Sequence, residues 1–499
     1  MPDPLPPTPD PASPSRHALW RNWISLTGVI IGGGSLFAFL FLFAIDLFSG
    51  SHNPYIGILS YVVAPAFLIF GLVVFVVGAW IQHRQLKRYP DAPPARLYID
   101  FERPHDRKVM IYFGAGAMAF LLLTAMGSYQ TYHVTESVEF CGQVCHKVMK
   151  PEFVTYQRGV HARVACVECH IGSGAKWYVK SKLSGSYQLY SVAFNKYSRP
   201  IGTPVHNLRP AQDTCEKCHW PEKYTGNLDR TYAHYLADEA STPHTVRMLL
   251  HIGGGSDLHG PVGGIHWHTS AANKVEYFAS DPQRQRIPWV RVTSFQGKTT
   301  VYRSPDYQDE PPADQIRRMD CIDCHNRPAH RYQTPNAAVD QALELGRLDA
   351  KLPAIKRQAV ELLTSTYASE NEAIAKITAS LREEYAGRPG LDQAVTTTSE
   401  IYRANFFPEM KADWSKYPDN KGHKDFPGCF RCHDNQHEAV GDPSRMIAAS
   451  DCTTCHSIVT QGKGEELANF SLKGLSFQHP GGDIPDGVIC NDCHNGKNQ

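Results

Sequence analysis

Three uncharged apolar runs stand near the start of the chain, at Trp23–Ile45, Tyr55–Ile81 and Val109–Tyr132. Each is longer than the roughly 20 residues that a helix needs to cross a bilayer. The first run is too long for the apolar part of a cleaved signal and a second run follows it, so we expect an anchor. The pattern predicts three transmembrane helices within residues 22–133, after a proline-rich, disordered tail at 1–21.

Beyond residue 133 the pattern becomes polar, with short periodic stretches between loops. Lysines and aromatic residues mix through residues 175–197, which fits an amphipathic helix on lipid headgroups and equally an ordinary half-buried helix. Residues 335–385 predict two helices broken near Pro353. Three β-rich stretches predict a small antiparallel insert at about 263–304. These stretches are Val275–Phe278, Trp289–Val292 and Thr299–Tyr302.

Basic residues are distributed unequally between the loops that flank the apolar runs. The tail carries Arg16 and Arg21, the loop at 82–108 carries seven Lys or Arg residues, and the loop Ser49–Pro54 carries none. Because cytoplasmic loops are enriched in basic residues, we expect a cytoplasmic N-terminus and an extracytoplasmic chain after the third run. The net charge of +1 gives no reason to expect a nucleic-acid partner.

All fourteen cysteines fall into seven pairs, and a histidine follows each pair directly. Six pairs have the spacing Cys-x-x-Cys-His, whereas the first, CGQVCH, has one more residue between its cysteines. Cys-x-x-Cys-His is the attachment signature of c-type haem, in which two thiols bond to the porphyrin and the histidine binds the iron. Neither disulfides nor four-thiolate zinc sites require a histidine after every pair.

The pattern therefore predicts seven covalent c-type haems. The predicted attachment cysteines are Cys141, Cys145, Cys166, Cys169, Cys215, Cys218, Cys321, Cys324, Cys429, Cys432, Cys452, Cys455, Cys490 and Cys493. The predicted proximal iron ligands are His146, His170, His219, His325, His433, His456 and His494. We number the motifs from first to seventh in chain order.

The sixth ligand of each iron bears on function, because a second strong ligand makes an electron carrier and an open position makes a catalyst. Outside the motifs and beyond the apolar runs the chain has thirteen more histidines, which exceeds the six needed if the first haem is set aside. Met149 lies three residues after His146 and is either a ligand of the same iron or a buried core residue. The histidines nearest the motifs are His161, His206, His330, His423, His437 and His479, with His251 and His266 as weaker candidates.

The sequence thus predicts a multihaem c-type cytochrome with three N-terminal transmembrane helices. A mainly α, loop-rich extracytoplasmic haem region with a small β insert follows them. Its predicted parts are the tail 1–21, a membrane anchor at 22–133, a tetrahaem domain at 134–330, a helical connector at 331–400 and a C-terminal trihaem domain at 401–499. Since c-type haem is attached on the extracytoplasmic side, this placement agrees with the charge distribution.

Residues 110–330 carry a span that ends at a haem motif followed by methionine, and then HARVACVECH, CHIGSGAKWYVKSKLSGSYQ and TPVHNLRPAQDTCEKCHWP. This region resembles the NapC/NirT family of membrane-anchored multihaem quinol dehydrogenases, which includes NrfH-like proteins. The resemblance implies menaquinol or ubiquinol oxidation at the periplasmic face of the bacterial inner membrane, beside the first haem. It also implies Met149 as a ligand of the first haem and His161 as a ligand of another haem. A lysine at the quinol site is implied too, with Lys176, Lys180 and Lys182 as the matching candidates.

Two features depart from the family pattern. The chain has three predicted spans where the family anchor is a single helix. Its first motif has three residues between the cysteines, and the methionine stands at +3 from the histidine instead of +2. The first haem is therefore the site where this chain differs most from its relatives.

We predict a membrane-bound heptahaem cytochrome that oxidises quinol from the membrane pool and passes electrons to periplasmic multihaem cytochromes or reductases, in anaerobic or extracellular respiration. The quinol ring is expected at the outer leaflet, between the membrane helices and residues 136–182, with one glutamate as proton acceptor. The candidate glutamates are Glu136, Glu139, Glu152 and Glu168. Two alternatives are a passive electron-transfer subunit of a larger complex and a terminal reductase of a small oxyanion. The reductase is disfavoured because all seven motifs end in histidine.

Overall fold

The structure is a computed structural model of the 499-residue chain. The residues that it describes fall into two compact units, divided as Met1–Glu136 with Ile171–Tyr190 and Ser137–His170 with Ser191–Gln499. The described residues are 22–48, 63–89, 101–144, 146–171, 175–205, 209–220, 223–253, 263–270, 272–448, 452–485 and 488–497. The predicted tail at 1–21 lies outside them.

The described part of each predicted apolar run forms a helix in the first unit. These are α1 (Trp23–Phe48), α2 (Ala64–Arg88) and α3 (Pro104–Thr135). By length and composition, α1 over Trp23–Phe41 and the whole of α2 are long and apolar enough to cross a membrane. Helix α3 has 32 residues, which is also enough to span, and its crossing stays a prediction.

Small residues bring α1 and α2 into close contact. A Cβ added at Gly71 would lie 2.5 Å from the amide nitrogen of Gly32, so only glycine permits this approach. The Oγ of Ser25 donates to the carbonyl of Phe75 at 3.1 Å, and the amide of Asn22 donates to the carbonyl of Gly78 at 3.3 Å. The two helices therefore form a pair held by backbone proximity and by polar side chains near one end.

Helices of 4 to 19 residues carry or flank the haem motifs. They are α4 (His146–Arg158), α5 (Cys166–His170), α6 (Ala175–Ala193), α7 (Ala211–Thr214), α8 (Cys321–Cys324) and α13 (Cys490–Cys493). A π-helical turn at Phe140–Val144 and 3-10 turns at Cys215–Lys217, Gly428–Arg431 and Cys452–Thr454 hold other motif residues. Helix α6 falls in the stretch 175–197 that was predicted to be helical.

The main hydrophobic core of the second unit lies among four helices, and three of them fall within residues 335–385, where the sequence predicts two. They are α9 (Pro335–Glu344), α10 (Ile355–Thr364), α11 (Glu370–Glu384) and α12 (Leu391–Asn405). Thr334 caps α9 and Ser369 caps α11, each accepting from a backbone amide three residues on. Val339, Ile355 and Ile377 are fully buried between these helices.

Two antiparallel sheets complete the second unit. The strands are β1 (Asn227–Tyr235), β2 (Pro243–His251), β3 (Lys274–Phe278), β4 (Trp289–Thr293), β5 (Thr299–Arg303), β6 (Arg317–Arg318), β7 (Glu438–Ala439), β8 (Asp442–Met446) and β9 (His456–Gly462). The first sheet has the order β1-β2-β9, and the second has the order β6-β3-β4-β5-β7-β8. Strands β3, β4 and β5 match the predicted insert to within one residue at each end. Strands β7, β8 and β9 come from the predicted trihaem domain, so each sheet joins it to the predicted tetrahaem domain.

Candidate haem sites

A single helical turn holds most of the motifs. In the third, fourth, fifth and seventh motifs the histidine amide donates to the carbonyl of the first cysteine, at 2.8 to 3.1 Å. Residues three apart lie on the same side of a helix, so the two cysteines of such a turn point the same way. This is the arrangement that two thioether bonds to one porphyrin edge require.

The first motif stands on a wider turn. Phe140–Val144 is π-helical, and a π-helix closes its hydrogen bonds five residues apart, so one turn holds an additional residue. This matches the additional residue between the cysteines of CGQVCH. Gly142 is buried here, and a Cβ at this position would overlap the ring of Phe153. Cys145 and the side chain of His146 lie outside the part of the chain that the structure describes.

Six motif histidines each face a second histidine from elsewhere in the chain. The centres of the paired rings are 5.8 to 6.3 Å apart. Two imidazoles bonded to one metal ion at about 2 Å each would have ring centres roughly 6 Å apart. The pairs are His170 with His330, His219 with His161, His325 with His266, His433 with His268, His456 with His423, and His494 with His479.

Hydrogen bonds orient several of these rings toward their partners. The Nδ1 atoms of His161, His266 and His268 donate to the carbonyls of Pro328, Ile252 and Ile265 at 2.8 to 3.0 Å. An imidazole that donates from Nδ1 keeps the Nε2 lone pair for a metal, and metal-bound histidines commonly have such a carbonyl partner. Burial lowers the pKa of His266 and of His268, which favours the neutral ring that a metal needs.

The cysteines and the histidine pairs fit a haem better than a metal site made of protein ligands alone. The thirteen cysteines in the described part of the chain form no disulfide. Within the same residues there is no group of three or more His, Cys, Asp or Glu side chains that could hold a metal ion. Two axial imidazoles are, however, the complete protein contribution to iron in a low-spin haem, since the porphyrin supplies the other four nitrogens.

Four of the predicted distal histidines take part in these pairs, namely His161, His330, His423 and His479. His206 lies outside the described residues. His437 is placed differently from its prediction, because its ring contacts no motif histidine among the described residues. Its Nδ1 contacts Asp434 Oδ1 at 2.9 Å and its Nε2 contacts the carbonyl of Ile287 at 2.7 Å. With both nitrogens engaged, His437 has no lone pair left for iron.

His266 and His268 complete the set. His266 was a weaker candidate, and His268 was not singled out. Both stand on the 3-10 helix Ile265–Thr269, and Gly264 before it has a φ of 69°, which favours glycine. The sequence indication was the spacing His-x-His, which allows two neighbouring rings to serve two different sites.

Asp323 fixes the fourth motif from within, since it stands between Cys321 and Cys324. Its carboxylate accepts from Tyr277 Oη at 2.7 Å and from the Arg317 guanidinium at 2.9 Å. It also accepts from the backbone amide of Asp320 at 2.8 Å, which closes a capping box at the start of α8. Burial, and then the Asp323 charge, raise the pKa of Tyr277, so this phenol remains a hydrogen-bond donor.

Glu152 connects the helix of the first motif to the distal histidine of the second. It lies on α4, and its backbone carbonyl accepts from His330 Nδ1 at 2.9 Å. Its mostly buried carboxylate is 3.3 Å from the same nitrogen and accepts from Tyr332 Oη at 3.2 Å. A negative charge therefore stands beside one proposed axial ligand. Met149 lies one turn before Glu152 on the same helix, in a partly buried position.

The candidate quinol-site lysines all lie on α6. Lys180 is exposed, and its Nζ is 5.0 Å from the ring centre of Trp177. This distance is typical of a cation–π contact. The side chains of Lys176 and Lys182 are outside the described part of the structure.

Comparison with known proteins agrees with this geometry. Residues 103–203 match the N-terminal region of the NapC/NirT cytochrome c family. Over 494 residues the chain is 41% identical to the cytochrome c-type protein ImcH of Geobacter sulfurreducens, and this alignment covers 95% of each protein. No solved structure matches the chain.

Proposed function

This chain belongs to the NapC/NirT cytochrome c family, and we propose that it is a quinol dehydrogenase of the bacterial inner membrane. In this proposal seven c-type haems carry electrons from menaquinol or ubiquinol to periplasmic multihaem cytochromes or reductases. The N-terminus is cytoplasmic, three helices cross the membrane, and the haem region is periplasmic. Membership of the family itself makes the chain a membrane cytochrome with covalently bound haem that takes part in electron transfer.

The observation that carries the proposal is the set of six imidazole pairs. When bound, the haems supply one-electron redox chemistry, and two histidine ligands make each of them a carrier without an open coordination position. This supports electron transfer over reduction of a small oxyanion, which needs a vacant position on an iron.

The residues of the chain have distinct proposed roles. The six imidazole pairs are proposed to hold six irons, with His266 and His268 in place of His206 and His437. Met149 is proposed as the axial ligand of the first site, since it follows His146 by about one helical turn. Lys180 is proposed to hold a quinol oxygen, with Lys176 and Lys182 as neighbouring candidates on α6.

The test is reduction of the oxidised holoprotein, in lipid nanodiscs, by a menaquinol analogue. We expect the haem absorption bands to change to the reduced form without a further partner protein. A protein that dithionite reduces but the quinol analogue does not would exclude quinol oxidation. It would favour the passive electron-transfer subunit instead.

A matched pair of lysine variants tests the proposed binding residue. Lys180→Ala is expected to slow reduction by the quinol analogue by about tenfold or more, because the contact that positions the quinol oxygen is lost. Lys298→Ala, in the turn between β4 and β5, is the control and should reduce at the wild-type rate. Equal rates for both variants would remove Lys180 from the site, and the same measurement then applies to Lys176 and Lys182.

A further inference from the structure

We propose that the seven haem attachment sites form a single row in chain order, so that each motif lies next to the motif that follows it in the sequence. This inference rests on the proposed heptahaem electron carrier. It concerns the spatial order of the sites, which motif spacing alone does not give. All seven motifs lie within the second compact unit, where residues near different motifs contact one another.

The first three motifs are linked near residues 141–170. His330, which faces His170 of the second motif, donates from Nδ1 to the carbonyl of Glu152 at 2.9 Å. Glu152 lies on α4, the helix that begins at His146 of the first motif. His161, which faces His219 of the third motif, stands five residues before Cys166 of the second. The second site therefore has the first and the third as neighbours.

The third, fourth and fifth motifs are joined by direct contacts. His161, which faces His219 of the third motif, donates from Nδ1 at 2.9 Å to the carbonyl of Pro328, three residues after His325 of the fourth. Arg431, between the cysteines of the fifth motif, donates to the carbonyl of Asp323, between those of the fourth, at 3.0 Å. In addition, His266 and His268, which face the histidines of the fourth and fifth motifs, share one short helix.

The row continues through the fifth and sixth motifs. Phe430 lies between the cysteines of the fifth motif and stacks on His423, with ring centres 4.2 Å apart and planes 20° apart. His423 in turn faces His456 of the sixth motif. One aromatic contact therefore connects the attachment turn of the fifth site with the distal ligand of the sixth.

Strand β9 leads from the sixth motif toward the seventh. The strand begins at His456, and Gln461 near its end donates to the carbonyl of Ser476 at 2.6 Å. The amide of Gln478 donates back to Gln461 Oε1 at 3.2 Å, directly before His479, which faces His494 of the seventh motif.

In a single row, removal of a haem from the middle interrupts electron transfer between the haems on its two sides. The test compares two variants of the full-length holoprotein in nanodiscs, each lacking one haem. Cys429→Ala with Cys432→Ala removes the fifth haem, and Cys490→Ala with Cys493→Ala removes the seventh. The menaquinol analogue is expected to reduce four of the six remaining haems in the first variant, and all six in the second. Reduction of all six at the wild-type rate in the first variant would overturn the row.

A structural measurement covers the case in which the variant without the fifth haem does not fold. Cryo-electron microscopy of the wild-type holoprotein gives the iron positions directly. The row requires the irons of consecutive motifs to be nearest to each other. A third iron lying between the irons of two consecutive motifs would contradict it. If quinol does not reduce the wild-type protein, quinol oxidation fails, whereas the iron positions still decide the order of the sites.

Discussion

His268 and His437 lie in the same part of the molecule and differ in the contacts of their ring nitrogens. His268 donates from Nδ1 to Ile265 and faces His433, whereas His437 uses both nitrogens in hydrogen bonds. His268→Ala should therefore leave the fifth iron five-coordinate and convert one haem to the high-spin state, which is measured by electron paramagnetic resonance.

His437→Gln is the control for this change. It should keep every haem low-spin and lower the free energy of unfolding by about 1–3 kcal/mol, because the buried Ile287 carbonyl loses a charge-assisted partner. A high-spin signal from the His437 variant alone would reverse the assignment.

Glu152 allows a second prediction at the scale of one residue. Its carboxylate is 3.3 Å from His330 Nδ1 and only 14% exposed, so its charge acts on the second haem with little screening. Glu152→Gln should raise the midpoint potential of that haem by roughly 50–100 mV, as expected for loss of one charge several ångströms away. Potentiometric titration checks this, with the exposed Glu383→Gln on α11 as the variant that leaves all potentials unchanged.

Short sequence separation explains which single residues the sequence could predict. His161, His330, His423 and His479 lie near motifs, and the structure brings each of them against a motif histidine. The sequence could not say which motif, since His330 follows the fourth motif and faces the histidine of the second. His437 has the same short separation, but a local bond to Asp434 engages its ring instead.

At the scale of one element, the π-helical turn of the first motif depends on Gly142. A side chain at this position would overlap Phe153 on the adjoining helix α4. Gly142→Val should therefore displace the turn and yield a protein with six haems instead of seven, as counted by the pyridine haemochrome assay. Gln143→Val is the matched control, because Gln143 is exposed and should tolerate the change. Seven haems in both proteins would contradict a role for the close contact.

The pattern of apolar and polar residues predicted some helices and strands and missed others, for identifiable reasons. Strands β3 to β5 have alternating β-branched and aromatic residues, and they were predicted nearly to the residue. Strands β1 and β2 carry charged and histidine residues at inward and outward positions, so their alternation was not recognised. The predicted region 335–385 breaks near Pro353 as expected, but a Ser369 cap divides it further. The helix α12, which follows the left-handed Gly390, lies beyond the predicted bounds.

For the molecule as a whole, the two sheets make the C-terminal segment part of the fold of the preceding one. Strand β9 pairs with β2 from Leu250 opposite His456 to Thr245 opposite Gly462, and β7 pairs with β5. A chain that ends at Asn420 would expose both of these strand edges, so it should not accumulate as a stable tetrahaem protein. Haem staining and limited proteolysis measure this.

The matched control ends at Gly496, which retains every strand and should keep all seven haems. A protease-resistant tetrahaem product from the shorter chain would show that the predicted domain boundary near residue 400 is also a folding boundary.

In each histidine pair, the distal histidine comes from a different part of the chain than the motif it faces, and this affects how the protein matures. For five of the six pairs the distal histidine precedes its motif in the chain, whereas His330 follows the second motif. Because a chain is made and exported from its N-terminus, five haems of the proposed periplasmic heptahaem protein would meet a partner histidine that has already emerged. The second haem would be attached early, whereas its proposed ligand His330 would emerge only after strands β1 to β6. In the proposed topology the second haem is therefore the site exposed longest to a wrong histidine or a small molecule.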